Sequence, residues 1–280
     1  MNQETYGFIL LKKGSGLSSH AEISPLKKLF SEKVGHTGTL DPMATGMLVC
    51  AIGQATKFIQ FTASDANKYY DAIVQLGFNT NTSDITGEKC LSKPVPDLTT
   101  AMVEEIIKEN FLGKITQTPP IYSALKYKGK PYYYYARKNE SIPIKSRPAE
   151  IFKIDNIQYN KETKRIHFQA LVSSGTYIRT LAVDIAKKLN TVGCLAELDR
   201  VYIEPWQERT AHSIESIKSA DKPAEFLLPI ESALPHMQKI ALTCPEIQKL
   251  RNGTFVSQSR SMLPAEKRQA YDINGNFIGI

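Results

Sequence analysis

The sequence predicts an α+β fold in which strands and helices share one large domain, with a small β module at the C-terminal end. Three observations predict it. Lys68–Gly77 mixes aromatic and β-branched residues in alternation, the mark of a half-buried strand, whereas Thr99–Phe111 and the stretch from Ile178 to Leu189 carry apolar residues at helical spacing. The strand-like runs over 148–159 and 164–172 are separated by only a short polar link, which suits an antiparallel pair. From about Leu227 the composition shifts to short runs broken by turn signals, ending in Asn274-Gly275, a strong hairpin signal.

Taken in order, Tyr6–Leu11 reads as a strand, and residues 12–19 follow as a loop. Ser24-Pro25 offers an N-cap and a proline at the first helical position, and Leu26, Leu29 and Phe30 extend a helix to about Lys33. Met47–Ile52 is a buried strand and Gln54–Phe61 a short helix. In the next strand, alternation puts Tyr70, Ala72, Val74 and Leu76 on one face and Tyr69, Asp71, Ile73 and Gln75 on the other. Strand logic alone leaves Tyr70 equally a core ring or a ring at a binding site. Residues 79–87 form a turn-rich loop of structural character, and the amphipathic helix of 99–111 ends at Gly113. Pro131 opens a helix running to Arg137 and Lys138. After the strand pair, Ser173-Ser174-Gly175 turns into a helix that carries Arg179 in its first turn. The dipole at that end prefers anions, so Arg179 is there for another reason, such as pairing with an acid. Cys194–Ile203 is a returning strand.

A chain of 280 residues suits one large domain and one small one, here 1–226 and 227–280. The formal charge is +7 and the pI about 9.0, which favours a polyanionic partner. Cys50, Cys90, Cys194 and Cys244 show no Cys-x-x-Cys spacing, so neither a metal site nor a disulfide framework is expected, and the thiols read as buried or idle. No run approaches membrane length, and the N-terminal residues do not read as a signal peptide, so the expected location is cytoplasmic.

Residues 34–48 concentrate special chemistry: three glycines, three threonines, His36 and Asp41 lie between a helix and an apolar strand. Glycine permits close backbone approach, and Asp-Pro starts a turn, so Asp41 stands on a rigid turn facing outward. An Asp-Pro pair that merely caps a turn is the plain alternative, yet a cap needs one such residue rather than eight. A phosphate-cradling loop is excluded because no Gly-Lys-Ser/Thr follows Gly46. Between Tyr122 and Glu150, seven Lys/Arg face only two acids and are interleaved with six tyrosines. That mixture suits RNA, cations meeting phosphates and rings stacking on unpaired bases, or else a solvated basic face with tyrosines packed inward.

The run Gly-His-Thr-Gly-Thr-Leu-Asp-Pro-Met-Ala-Thr-Gly at 35–46 resembles the catalytic loop of the TruB family of tRNA pseudouridine synthases. Pro119–Lys126 and Gly-Thr-Tyr-Ile-Arg-Thr at 175–180 are similar to further family motifs, and the resemblance spans nearly the whole chain. It departs at Gly14, where the family has proline, and at Asn81, where it has aspartate. The resemblance implies a pseudouridine synthase fold, a mixed and mostly antiparallel central sheet flanked by helices, with a PUA-like RNA-binding module at the end. It implies an isomerase that flips a tRNA T-loop uridine, number 55, out of its stack and exchanges its N1 bond to the sugar for a C5 bond. Asp41 would be the catalytic acid, Arg179 its ionising partner and Tyr70 the ring on the uracil; His36, Tyr177, Leu198 and Lys126 would contact substrate. No atom is gained or lost, so no cofactor, metal or obligate protein partner is implied, and tRNA is the partner through its T-arm. A guide-RNA-dependent relative, a non-catalytic RNA-folding protein and a nucleoside hydrolase are the competing readings.

Overall fold

The computed structural model describes residues 5–62, 66–254 and 267–280. The chain opens with strand β1 (Gly7–Lys13), helices α1 (Ser19–Glu22) and α2 (Ser24–Phe30), and strands β2 (Val34–Thr37) and β3 (Thr45–Ile52). A 3-10 turn at Gly53–Phe58 leads to β4 (Lys68–Leu76), then β5 (Phe78–Thr80), β6 (Lys89–Ser92), α3 (Thr100–Phe111) and β7 (Gly113–Gln117). The basic segment holds β8 (Lys126–Tyr127), β9 (Lys130–Pro131) and α4 (Tyr132–Arg137). Next come β10 (Arg147–Asn160), β11 (Arg165–Val172), α5 (Ile178–Lys188), β12 (Gly193–Ile203) and α6 (Ile214–Ser219). The end of the chain carries β13 (Lys239–Ala241), α7 (Cys244–Arg251), β14 (Gln269–Tyr271) and β15 (Phe277–Gly279).

The central sheet runs β1-β3-β12-β4-β11-β10-β7, with β2 as a second partner of β3. Every pairing in it is antiparallel except β3 with β12, so the expected mixed, mostly antiparallel sheet is what forms. Hydrophobic pattern dictates where each strand sits. β1 and β3 are unbroken apolar runs because both of their faces are covered. On one face Ile9, Leu11, Leu48 and Cys50 pack with Ile23, Leu26 and Ile217; on the other Phe8, Leu10, Met47 and Val49 pack with Trp206, Ile230 and Leu234. β4 and β11 alternate because only one face is covered. Tyr70, Ala72, Val74, Ile166, Phe168 and Ala170 pack with Val103 and Ile107 of α3 and Leu181, Ala182 and Ile185 of α5.

β3 is shared along its length, and this sharing positions everything that follows. Its C-terminal half pairs with β2, from Thr37 opposite Val49 to Val34 opposite Ile52, while its first residues, Thr45 and Gly46, pair with Asp199 and Arg200 of β12. The loop from β2 to β3, which carries Asp41, therefore projects where the sheet changes partner. At the far end, β14 pairs with β13 in parallel and β15 antiparallel, and Gly275 takes a positive φ in the turn that Asn274-Gly275 signals. The small sheet is docked rather than tethered: Phe8 and Leu228 exchange backbone hydrogen bonds of 2.8 and 2.7 Å, and Phe277 packs on Phe58.

Some local expectations are corrected. The early helix stops at Phe30, not near Lys33, because Ser31 adopts a left-handed conformation with φ 52°. Ser24 is not its N-cap; Ile23 occupies that position and supplies no side-chain cap bond. Residues 12–19 are not all loop, since Lys13 completes β1 and Ser18 caps α1 by accepting from the Ala21 N–H. Residues 34–37 form β2, a strand hidden in the sequence by Gly35 and His36.

Gly46 is the tightest contact between β3 and β12. Its φ is +104°, and a Cβ there would lie 2.3 Å from the Arg200 carbonyl oxygen and 2.5 Å from its nitrogen. Gly46→Ala is predicted to lower the unfolding free energy by about 3 kcal/mol or more, from strained backbone plus forced strand separation. Urea denaturation reads this directly, and an unchanged midpoint would show the crossing to be slack.

Candidate active site

Two sets of contacts fix the Asp41 loop, and both come from the chain's first twenty residues. The Ser19 hydroxyl accepts from the Leu40 N–H and donates to the Leu40 carbonyl, each at 2.9 Å. Lys13, fully buried, donates from Nζ to the carbonyls of Gly14 (2.7 Å), Pro42 (3.1 Å) and Ala44 (2.8 Å). The Gly16 N–H adds a bond to the Pro42 carbonyl, and the Ser15 hydroxyl one to that of Met43. The backbone on both sides of Asp41 is thus pinned. Arg200, 1% exposed, closes the other flank by donating to the carbonyls of Met47 and Gly38. A buried ammonium or guanidinium is tolerated because carbonyl oxygens satisfy its donors.

The Asp41 side chain meets Arg179 edge to edge. Arg179 Nη2 donates to Oδ1 at 2.9 Å, and Nε lies 2.8 Å from Oδ2 without a hydrogen bond of its own, so one charge-assisted bond and one close ionic contact set the carboxylate's direction. Arg179 is 4% exposed, and its remaining donors are used: Nη2 bonds the Tyr122 carbonyl at 2.7 Å and Nη1 the Thr82 carbonyl at 2.8 Å. Asp84, also buried, sits 3.8 Å from Nη1. Its own Oδ1 accepts from Thr82, from the Thr86 hydroxyl and from the Thr86 N–H. The 79–87 loop therefore does more than connect strands: it holds the second acid beside Arg179. The helix start is fixed too, because Gln117 accepts from the Tyr177 N–H and donates to the Tyr177 carbonyl.

Asp41, Tyr70, Tyr177, Arg179 and Leu198 all line one cavity of about 340 Å³, a size suited to a small ligand or one nucleotide. Tyr70 answers both readings of its strand: it is 6% exposed, packs in the main core and still forms part of the cavity wall. Two expected residues lie elsewhere. His36, on β2, lines an adjoining cavity that shares Gly38, Lys68 and Ser174 with the first. Lys126 is exposed on β8, one residue beyond the Ser123–Leu125 wall. There the basic segment pairs cations with rings: Lys130 and Lys138 both lie over Tyr134, at 4.4 and 4.7 Å from the ring centroid, and Arg137 over Tyr133. Larger cavities elsewhere, such as one of about 520 Å³ beside Phe61 and Met237, are lined by no buried ion pair among the described residues.

Burial and Arg179 pull the Asp41 carboxyl in opposite directions. Arg179 does draw the Asp41 carboxyl toward ionisation, but burial outweighs it and Asp84 adds repulsion, so the Asp41 pKa is raised above its ordinary 3.8. Burial, then Arg200 and His20, holds His36 below its usual 6.5, which leaves the imidazole neutral at pH 7. Burial likewise pushes the Tyr177 phenol up and the Lys13 ammonium down. Cys50 and Cys194 are buried free thiols, and Cys90 and Cys244 exposed free ones.

Lys13, Ser19, Asp84 and Arg200 escape a reading of the sequence. Lys13, Ser19 and Arg200 bind backbone distant in the chain, whereas Asp84 is held by its own loop and meets a distant partner only in Arg179. Lys13 carried the one available signal, a charge at the end of an apolar strand.

A carboxylate on a clamped turn, aimed by a buried arginine into a cavity on an α+β sheet, has the make-up of an active site. Residues 27–178 match the TruB family pseudouridylate synthase (N terminal domain), and the chain belongs to that family of isomerases. It is 37% identical to a tRNA pseudouridine synthase B of Hydrogenovibrio crunogenus, over 99% of this chain and 89% of that one. It is 36% identical to the protein of that name from Oceanobacillus iheyensis, over 98% and 92% respectively. Among solved structures, a Cbf5-Nop10-Gar1 complex shares the fold with a TM-score of 0.73 at 21% identity, covering 98% of this chain and 77% of that one.

Because the folded-state pKa of Asp41 lies above its unfolded value, its contribution to stability is present below about 3.8 and is lost as pH rises through the folded value. Carboxyl NMR is predicted to show Asp41 titrating above 3.8, and Arg179→Met to move that midpoint further up by removing the attracting charge. A downward move would show that Arg179 does not govern the acid.

Proposed function

We propose that this chain converts uridine 55 in the T-loop of tRNA to pseudouridine, with Asp41 as the catalytic carboxylate. The observation that carries the reading is the close Arg179–Asp41 ion pair opening on a cavity walled by Tyr70 and Leu198. The relatives named tRNA pseudouridine synthase B, matched over nearly their whole length, support tRNA as substrate.

In this reaction the N1–C1′ bond breaks, the freed uracil turns, its C5 joins C1′, the C5 proton leaves to restore the ring, and N1 takes up a proton, so the composition is unchanged. Asp41 acts either by attacking C1′ or by removing the C2′ proton, and both routes need its ionised form. Raised basicity serves either role, since a carboxylate displaced above 3.8 is the stronger base and nucleophile once ionised. Arg179 orients the carboxylate without leaving it in water. Tyr70 stacks on the uracil and takes part in C5 deprotonation. Tyr177 and Leu198 close the cavity around the ring, and excluding water lets C1′ recapture uracil rather than be hydrolysed.

The target nucleotide has to leave its stack to reach Asp41, at a cost of a few kcal/mol. Stacking and phosphate contacts repay it. Neutral His36 occupies the neighbouring wall and holds the loop open, while Lys126 and the tyrosine-rich hairpin beside it meet the T-arm backbone. Residues 227–280 act as the small accessory RNA-binding module, and the enzyme works on free tRNA in the cytoplasm with no obligate protein partner.

The test is an unmodified T-arm hairpin incubated with the protein alone, followed by pseudouridine mapping. The expected outcome is conversion of the single uridine at the position equivalent to 55; an untouched uridine would falsify the reading. Asp41→Asn is predicted to lower turnover by about four orders of magnitude or more while binding the hairpin within about threefold of wild type. The kcat/KM profile should fall on the acid side at a pH above 3.8, as the carboxylate takes up its proton. A limb at the ordinary carboxylate value would assign the titration to a different acid.

A further inference from the structure

Helix α5 starts without a side-chain cap: Tyr177 holds the N-cap position and makes no capping bond. Backbone groups at such a start need partners from elsewhere. Gln117, 3% exposed and sixty residues earlier, supplies them, since its amide accepts from the Tyr177 N–H at 3.0 Å and donates to the Tyr177 carbonyl at 3.2 Å. One primary amide thus closes a ring of two hydrogen bonds with a single residue, using its donor and its acceptor together. Three residues on, the Thr180 hydroxyl donates to the Thr118 carbonyl at 3.2 Å, so the first turn is tied twice to the same stretch of backbone.

This turn carries the aim of the acid. Tyr177 lines the Asp41 cavity and Arg179 bonds the carboxylate, whereas Gln117 is not among the residues lining that cavity. Gln117 is the last residue of β7 and pairs with Arg147 at the start of β10. Between those two residues the chain leaves the sheet, passes through the tyrosine-rich hairpin and α4, and returns, with the Thr118 and Ser146 hydroxyls 2.8 Å apart at the neck. Arg179 is also bonded to the Tyr122 carbonyl inside that projecting segment. Without Gln117 the arginine would follow displacements of the segment; with it, the turn is held to the sheet.

We propose that Gln117 is a positioning residue for the reaction at Asp41: its amide sets the height of the first turn of α5, and so where Tyr177 and Arg179 stand relative to the carboxylate. This role rests on the tRNA-uridine reading above and deepens it, adding a residue that acts on turnover through two others. Displacement of an aiming group by about 1 Å is enough to slow a reaction by about a hundredfold, so a buried amide remote from the substrate can matter to the rate.

Two full-chain variants test it on the unmodified T-arm hairpin, with the folded fraction checked by circular dichroism at the assay temperature. Gln117→Met keeps the length of the side chain and removes both bonds. It is expected to lower kcat by about tenfold or more while KM stays within about twofold of wild type. The Asp41 midpoint in carboxyl NMR is expected to rise further in the same variant, because Arg179 is the charge that draws it down. Gln117→Glu keeps the acceptor for the Tyr177 N–H, but its second oxygen donates to the Tyr177 carbonyl only when protonated. Its rate relative to wild type is therefore expected to climb as pH falls and the introduced carboxyl takes up its proton, a rescue that a loss of folding would not produce. Should Gln117→Met fail to fold, this pH-dependent ratio carries the test alone. A Gln117→Met kcat equal to wild type, a lowered kcat with the Asp41 midpoint unmoved, or a Gln117→Glu ratio that stays low at every pH overturns the proposal and leaves Gln117 a packing residue. Failure of the underlying reading shows up differently, as wild-type protein that binds the hairpin and never converts it.

Discussion

The structure depends on a cost that burial imposes and that one arginine offsets only in part. Asp41 is removed from water far enough that its proton is held more tightly than in a free carboxylic acid, although a guanidinium lies 2.8–2.9 Å away. The pair is asymmetric. Arg179 is almost wholly enclosed, with hydrogen bonds to Asp41 and two backbone carbonyls and with Asp84 nearby, whereas Asp41 keeps one edge toward the cavity. A lone buried ion would shift its pKa far or unfold its surroundings; a pair with further hydrogen bonds limits both effects, and for Asp41 a net upward shift remains. The arginine is the fixed member, and the acid is aimed from it.

Aiming needs the backbone as well, and here the sheet topology matters. β3 cannot be paired along its full length by β2, so β12 takes over at Thr45 and Gly46, and the connecting loop is forced up at that junction. The junction is close only because residue 46 lacks a side chain. Lys13 and Ser19 then tie the loop to the end of β1 and the start of α1, while Arg200, on the strand that makes the junction, ties Gly38 and Met47. Three buried polar groups from three parts of the chain converge on a stretch of ten residues from Gly38 to Met47. None of them reaches the carboxylate. Their shared effect is to remove the loop's conformational freedom in advance, which is the freedom a reaction at Asp41 would otherwise have to suppress.

How much of this the sequence discloses follows from the range of each signal. Alternation over Lys68–Leu76 is a nine-residue pattern, and it placed Tyr70 on the covered face correctly. Arg179 was legible because a cation in the first turn of a helix runs against the dipole, and Asp41 because its loop carries more special residues than a turn requires. Lys13, Ser19 and Arg200 are single polar residues with no local pattern, and their partners lie up to 162 residues away, as for Arg200 and Gly38; Asp84 sits in a legible turn-rich loop whose approach to Arg179 no turn signal reveals. The direction of the Asp41 shift was beyond the sequence for a related reason. A partner's identity can be guessed from a motif, but the desolvation opposing it is a property of the packed surroundings. Strand β2 was hidden because glycine and histidine carry little strand propensity, and its pairing with β3 supplies what propensity does not.

The hairpin of tyrosines and lysines and the ion pair are parts of one segment. Tyr122 lends its carbonyl to Arg179, Ser123–Leu125 wall the cavity, and Lys126 begins the two short strands that lead into α4. The backbone returns to the wall as well, since the Tyr132 and Tyr133 N–H groups donate to the carbonyls of Leu125 and Ser123. A contact made on the exposed rings of α4 is therefore separated from the guanidinium that aims Asp41 by hydrogen bonds at Tyr133 and Arg179 and the one peptide between them. Side-chain pairing on the hairpin is of the exchangeable kind, cations over ring faces in water, which polyanionic backbone replaces with little loss. The pairing at Arg179 is buried and specific. A soft surface and a rigid aim therefore sit on adjacent residues of one short stretch of chain.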